Sequence, residues 1–106
     1  MTKKCNVIVV ANQKGGTGKT TTTENVGIGL ANQGKKVLMV DFDPQGDLSA
    51  CLGLKNTDDM ENTISKAMND IIYDKKVDYN SLIIHHEEQI DLIPSNIELA
   101  DFELKL

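Results

Sequence analysis

Lys14-Gly15-Gly16-Thr17-Gly18-Lys19-Thr20 gathers three glycines, two lysines and two hydroxyls into seven residues. That chemistry suits a polyphosphate with a magnesium ion. Glycines let the backbone curl until successive N–H groups point into one concavity, where a highly charged ligand can be desolvated and held. A helix that starts within the loop adds its positive dipole end and its unpaired N–H groups. Lys19 reaches the β- and γ-phosphates as a point charge, the Thr20 hydroxyl is suited to ligate Mg²⁺, and Thr21 contacts the α-phosphate. Glycine turns also join strands to helices with nothing bound, but here the Gly-Lys-Thr spacing and the flanking elements both fit phosphate.

A second group lies downstream in Asp41-Phe42-Asp43-Pro44-Gln45-Gly46. On its own, Asp-x-Asp-Pro is a weak signal, because Asp and Pro are common turn formers. In open α/β sheets, however, ligands sit outside the carboxyl ends of the strands, which would turn both carboxylates toward the phosphate loop. Carboxylates so placed can hold magnesium-bound water or orient an attacking water, and phosphoryl transfer mainly needs that positioning.

The elements that must carry these groups are legible in the hydrophobic pattern. Val7-Ile8-Val9-Val10 reads as a strand buried on both faces. A helix is expected over about residues 18–33, with Gly34 just past its end and Val26, Leu30 and Ala31 sharing its inner face. Gly27 and Gly29 cost it helical stability and are read as letting it lie close to a sheet. Val37-Leu38-Met39-Val40 is a second buried strand ending at Asp41, so strand, loop, helix and strand form a parallel βαβ unit. After the turn at 43–46 come a short helix near 48–52 and a polar surface loop over 55–62. Ile64, Met68, Ile71 and Ile72 mark an amphipathic helix. Residues 81–84 and 90–93 read as strands around an acidic loop at 85–89. Pro94 stops the second of these. Ser95-Asn96-Ile97-Glu98 fits a capping box that opens a last helix with Ile97, Ala100 and Leu104 inward.

The loop departs from the standard pattern G-x-x-x-x-G-K-[ST], since Gln13 stands where its first glycine would fall and Lys14 precedes the double glycine. In that respect it resembles the deviant Walker A loop of the ParA/MinD/nitrogenase-iron-protein superfamily. Ala11-Asn12-Gln13-Lys14-Gly15-Gly16, Val40-Asp41-Phe42-Asp43-Pro44-Gln45-Gly46-Asp47 and Leu92-Ile93-Pro94-Ser95-Asn96 narrow the resemblance to the ParA/Soj partition ATPases. MinD-type members usually lack the Pro-Gln-Gly turn. They should also carry a C-terminal membrane helix, and iron proteins cluster-binding cysteines; neither is visible in this sequence.

The resemblance implies an α/β chain that forms the N-terminal part of a P-loop parallel sheet flanked by helices, with ATP and Mg²⁺ as cofactors. It implies that Lys14 reaches across a nucleotide-sandwich homodimer to the partner's phosphates. Asp41 would touch the magnesium shell and Asp43 would position the hydrolytic water. Lys14, Lys19 and Asp43 are thus the expected catalytic groups, residues 14–21 the phosphate site, and Thr20 with Asp41 the metal ligands. A ParB-like partner that stimulates hydrolysis, non-specific DNA, and segregation of plasmid or chromosomal DNA follow from the same likeness. ParA proteins are usually more than twice this long, so residues 1–106 are expected to be one partial nucleotide-binding domain, cut before the Walker B strand. In the family that strand sits between the two strands assigned above. Its loss would leave two apolar edges, and a second copy is expected to fill the gap. The competing reading is a non-catalytic fragment that pairs with full-length relatives.

Composition narrows the field further. A formal net charge of −5 over 106 residues argues against this segment alone forming a nucleic-acid surface. Cys5 and Cys51 are too few for a disulfide framework and read as small apolar fillers in a reduced, cytoplasmic protein. The apolar run after Lys4 is too short for a signal sequence, and a membrane span takes about 20 apolar residues. His85-His86 beside Glu87-Glu88 lack a third ligand at suitable spacing and read as a solvated loop. Asp58-Asp59 and Lys75-Lys76 read as solvated surface charges.

Overall fold

Two four-residue segments, Val37–Val40 and the Ile-Asp-Leu-Ile stretch Ile90–Ile93, pair in parallel with Val37 opposite Ile90 and Val40 opposite Ile93. They form the centre of the computed structural model, which describes residues 5–10, 17–87 and 89–104, the side chains of 17–19 and 103–104 excepted. In chain order the elements are α1 (Thr17–Asn32), β1 (Val37–Val40), α2 (Asp47–Cys51), a 3₁₀ turn (Thr57–Asp59), α3 (Ile64–Ile72), α4 (Tyr79–Leu82), β2 (Ile84–Glu87), β3 (Ile90–Ile93) and α5 (Glu98–Leu104). The three described strands make one sheet in the order β1-β3-β2.

Apolar clusters pack on both sheet faces, but Leu38 of β1 is 49% exposed beside Asp91 of β3, so the reading of β1 as a strand buried throughout does not hold at that position. On one face Met39, Leu48, Leu52, Ile90 and Leu92 pack with Ile28, Ala31 and Val37. On the other, Ile64, Ala67, Leu82, Ile93, Leu99 and Phe102 pack with Val40 and Met68. The α/β reading with flanking helices therefore holds.

Several details differ from the sequence reading. Residues 7–10 join no described strand, and Val7 and Val9 are 83% and 80% exposed. No described strand lies beside them, and a β-branched run without a ladder partner cannot pair its amides. The sheet is mixed, because β2 runs antiparallel to β3. Of the strand expected at 81–84, Ser81 and Leu82 are instead helical, in a turn over Tyr79–Leu82, and only Ile84 lies in a strand, as the first residue of β2. Asp78 sets that turn by accepting hydrogen bonds from the Ser81 hydroxyl at 2.7 Å and the Ser81 amide at 3.4 Å. The hydroxyl contact, then the amide, holds the Asp78 carboxyl below its usual value. The segment expected as an acidic loop is largely strand, with His85 Nδ1 2.9 Å from Asp91 Oδ1 across the pair.

Helix faces shift as well. In α1, Gly27 is buried against the terminal methyl of Met39, a flexible end that would have to shift to admit a Cβ. Gly29 meets nothing, and Val26 is exposed while Ile28 packs inward. In α3, Ile71 and Ile72 are exposed and Ala67 takes the core place. In α5, Leu99 and Phe102 are buried and Ile97 is exposed. Its cap is Asn96, whose Oδ1 accepts from the Glu98 amide at 3.1 Å. Cys5 and Cys51 are both exposed free thiols, not core fillers. Among the described residues no helix is long and apolar enough to cross a membrane.

Candidate functional site at the carboxyl ends of the strands

The direction of α1 decides what its first turn can meet. Its far end is tied to the amino end of the sheet: Gln89 Nε2 donates to the Gly34 carbonyl at 3.0 Å, and the Val37 amide donates to the Gln89 carbonyl at 2.8 Å. Gly34 makes the reversal with φ of 84°. The helix therefore runs antiparallel to β1, and its 16 residues rise about 24 Å. Thr17, Gly18, Lys19 and Thr20 thus begin α1 toward the end of the sheet where β1 delivers Asp41 and Asp43. No acidic residue occupies the first turn of α1, so its dipole end is not neutralised from within. Thr20 is half-buried and Thr21 exposed. Lys14, Gly15 and Gly16 lie outside the described residues, as do the side chains of Thr17 and Lys19.

Asp41 is 2% exposed and densely bonded. Its Oδ1 accepts from the Asp43 amide at 3.0 Å. Its Oδ2 accepts from the Ser49 amide at 3.0 Å and from the Ser49 hydroxyl at 2.7 Å. The carboxylate thereby caps the open amino end of α2 from outside, where negative charge is favoured. Asp43 is half-buried, and its Oδ1 accepts from the Gln45 amide at 3.0 Å, an Asx turn that closes with Gly46 donating to the Asp43 carbonyl at 2.8 Å. Gly46 then takes φ of 67°, and an added Cβ would stand 3.0 Å from the Ser95 carbonyl oxygen. A glycine is required there on both counts.

Ser49, Ser95 and Asn96 bind this corner together, contacts that the sequence analysis did not assign to them. The Ser95 amide donates to Ser49 Oγ at 3.2 Å, linking the end of β3 to α2. Asn96 Nδ2 donates to the Thr57 and Met60 carbonyls at 2.9 and 3.2 Å. Asp58, expected as a solvated charge, accepts from the Ile97 amide at 3.1 Å. The loop at 55–62 is therefore fastened to the strand ends through a 3₁₀ turn. The usable signal was Ser49 in the first turn of a short helix, where hydroxyls find unpaired amides and nearby carboxylates.

Ser95 Oγ is buried with no hydrogen-bond partner among the described residues. Ser95→Ala removes no bond and relieves a desolvated hydroxyl. Its denaturation free energy is expected within about 0.5 kcal/mol of the parent, or slightly above it. A loss of more than about 1.5 kcal/mol in urea titration would show that the hydroxyl has a partner.

Thr20 and Asp41 offer hard oxygen donors of the kind magnesium prefers, and the ion usually keeps several waters. Three donors on the Asp41 oxygens leave room for a fourth on a carboxylate. The donor set fits the ion.

Among known proteins, the chain matches the AAA domain family over residues 5–106. It is 40% identical over 100 residues to the sporulation initiation inhibitor protein Soj of Bacillus subtilis, covering 94% of this chain and 38% of that protein. Cobyrinic acid a,c-diamide synthase from Mycobacterium smegmatis, solved with a bound ATP analogue and magnesium, superposes with a TM-score of 0.74 at 37% identity, over 90% of this chain and 36% of that one. A plasmid partition protein from Borrelia burgdorferi gives a TM-score of 0.68 at 28% identity, over 87% and 39%. The chain spans little more than a third of the length of each of these proteins. With the phosphate loop, the Asp-x-Asp-Pro turn and the two-faced sheet all inside the matched region, the chain belongs to the AAA domain family and sides with its ParA/Soj-type members.

Proposed function

We infer that this chain is the nucleotide-binding portion of a ParA/Soj-type partition ATPase and takes ATP with Mg²⁺ at residues 14–21. The observation that carries this reading is the antiparallel run of α1, which brings Lys19 and Thr20 toward the end of the sheet that holds Asp41 and Asp43. Backbone amides of the loop and the first turn of α1 would cradle the phosphates, with Lys19 as counter-charge. Thr20, and Asp41 through water, would hold magnesium, which supplies charge neutralisation on the phosphates. Asp43, fixed by its Asx turn, would orient the attacking water.

Lys14 would complete the site of a second copy, making the ATP-bound state a homodimer that hydrolysis releases. A ParB-like activator, non-specific DNA contacts made elsewhere in a longer protein, and a cytoplasmic setting complete the reading. A second reading, a non-catalytic partner of longer relatives, draws on the exposed apolar residues Val7, Ile8 and Val9. Calorimetry on the folded full chain tests the first. Saturable heat with ATP and magnesium is expected, and silence with every adenine nucleotide would remove it.

A further inference from the structure

We propose that Ser49 is a positioning residue for the Asp41 carboxylate toward magnesium, and through Asp41 for the turn that carries Asp43. The inference rests on the nucleotide-binding reading above. Asp41 follows the last residue of β1, and of the side chains and amides bonded to its carboxylate, only Ser49 comes from another element. Both contacts on Oδ2 come from that residue: its amide at 3.0 Å and its hydroxyl at 2.7 Å. The shorter one is the length of a charge-assisted O–H···O⁻ bond.

The direction of the Ser49 hydroxyl is itself set. Its oxygen accepts from the Ser95 amide at 3.2 Å, which leaves its proton for Asp41. Ser95 amide, Ser49 hydroxyl and Asp41 carboxylate thus form a relay. Asp41 is almost fully buried and both serines wholly so, and bonds in such a setting reinforce one another. With Oδ2 saturated, Oδ1 carries only the Asp43 amide and keeps an acceptor site free for a metal-bound water. Alanine at position 49 would keep the amide contact and lose the relay, freeing the carboxylate to turn.

The test measures ATP affinity of the full chain by calorimetry, once with magnesium and once with EDTA, for the parent and for Ser49→Ala. The parent is expected to bind more tightly with magnesium. Ser49→Ala is expected to shrink that gain about tenfold, the worth of one hydrogen bond to a charged group, while its affinity in EDTA moves less than about twofold. Should the alanine protein fail to fold, Ser49→Cys keeps the volume, weakens the donor and is read the same way. An undiminished magnesium gain overturns the proposal, as does an equal loss in both conditions, which would mark general damage. A parent whose ATP affinity ignores magnesium overturns it too. A parent that binds no ATP in either condition instead removes the nucleotide reading and Ser49's role with it.

Discussion

Lys19→Ala is expected to weaken ATP binding at least about a hundredfold, the largest functional effect of any single change in this chain. A lysine aimed at two phosphate groups makes charge-assisted contacts worth about 1.5–3 kcal/mol each, and about 3 kcal/mol in total corresponds to that factor. Glycines and amides would remain, so residual binding near the limit of calorimetry is expected. The fold should not change, because alanine is the stronger helix former at a position in the first turn of α1. Equal ATP affinity in parent and variant, with matching circular dichroism, would defeat the assignment of this loop to phosphate.

The largest structural effect is expected at Asp41. Asp41→Ala removes the acceptor of the Asp43 amide, the Ser49 amide and the Ser49 hydroxyl, and Ser49 is wholly buried. Unsatisfied buried donors cost about 1–3 kcal/mol each, and the hydroxyl can turn, so a loss of about 3 kcal/mol or more is expected. Small domains have only about 5–15 kcal/mol in total. At a slope of about 2 kcal/mol per molar urea, the midpoint should fall by about 1.5 M. Asp41→Asn, which keeps one acceptor oxygen but turns an amide group toward existing donors, should fall between the two. The measurement is made without nucleotide, so it isolates the carboxylate's part in the fold from its part in holding magnesium. An unchanged midpoint for Asp41→Ala would mean that these hydrogen bonds contribute nothing net.

What could be read from residues alone divides along physical lines. Elements with strong local punctuation came out well: α1 with Gly34 beyond its end, β3 stopped by Pro94, and the turn at 43–46. Their boundaries are written in φ restrictions and missing donors, which act within a few residues. The family resemblance was legible for the same reason, since the loop's glycines, lysines and threonines stand in a fixed order within the matched region. Readings that depended on distant partners fared worse. The β-branched stretch at 7–10 has every local mark of a strand but no described neighbour to pair with. Ser81 and Leu82 looked extended, but the Asp78 side chain supplied a local cap that made them helical and moved the start of the strand to Ile84. Inner faces of α3 and α5 were off by a position or two because apolar periodicity does not say which of several Ile or Leu residues finds the sheet. The Ser49 relay spans 46 residues between Ser49 and Ser95, and no pattern short of the fold announces it.

The grip of Asn96 on the Thr57 and Met60 carbonyls has an evolutionary corollary. Insertions are usually tolerated in surface loops at small entropic cost, but a span clasped at both ends has a set length, like a strap cut to its buckle. Drift in loop length among kindred sequences should therefore fall at the exposed corner around residues 73–76, and the stretch from 47 to 63 should keep its count.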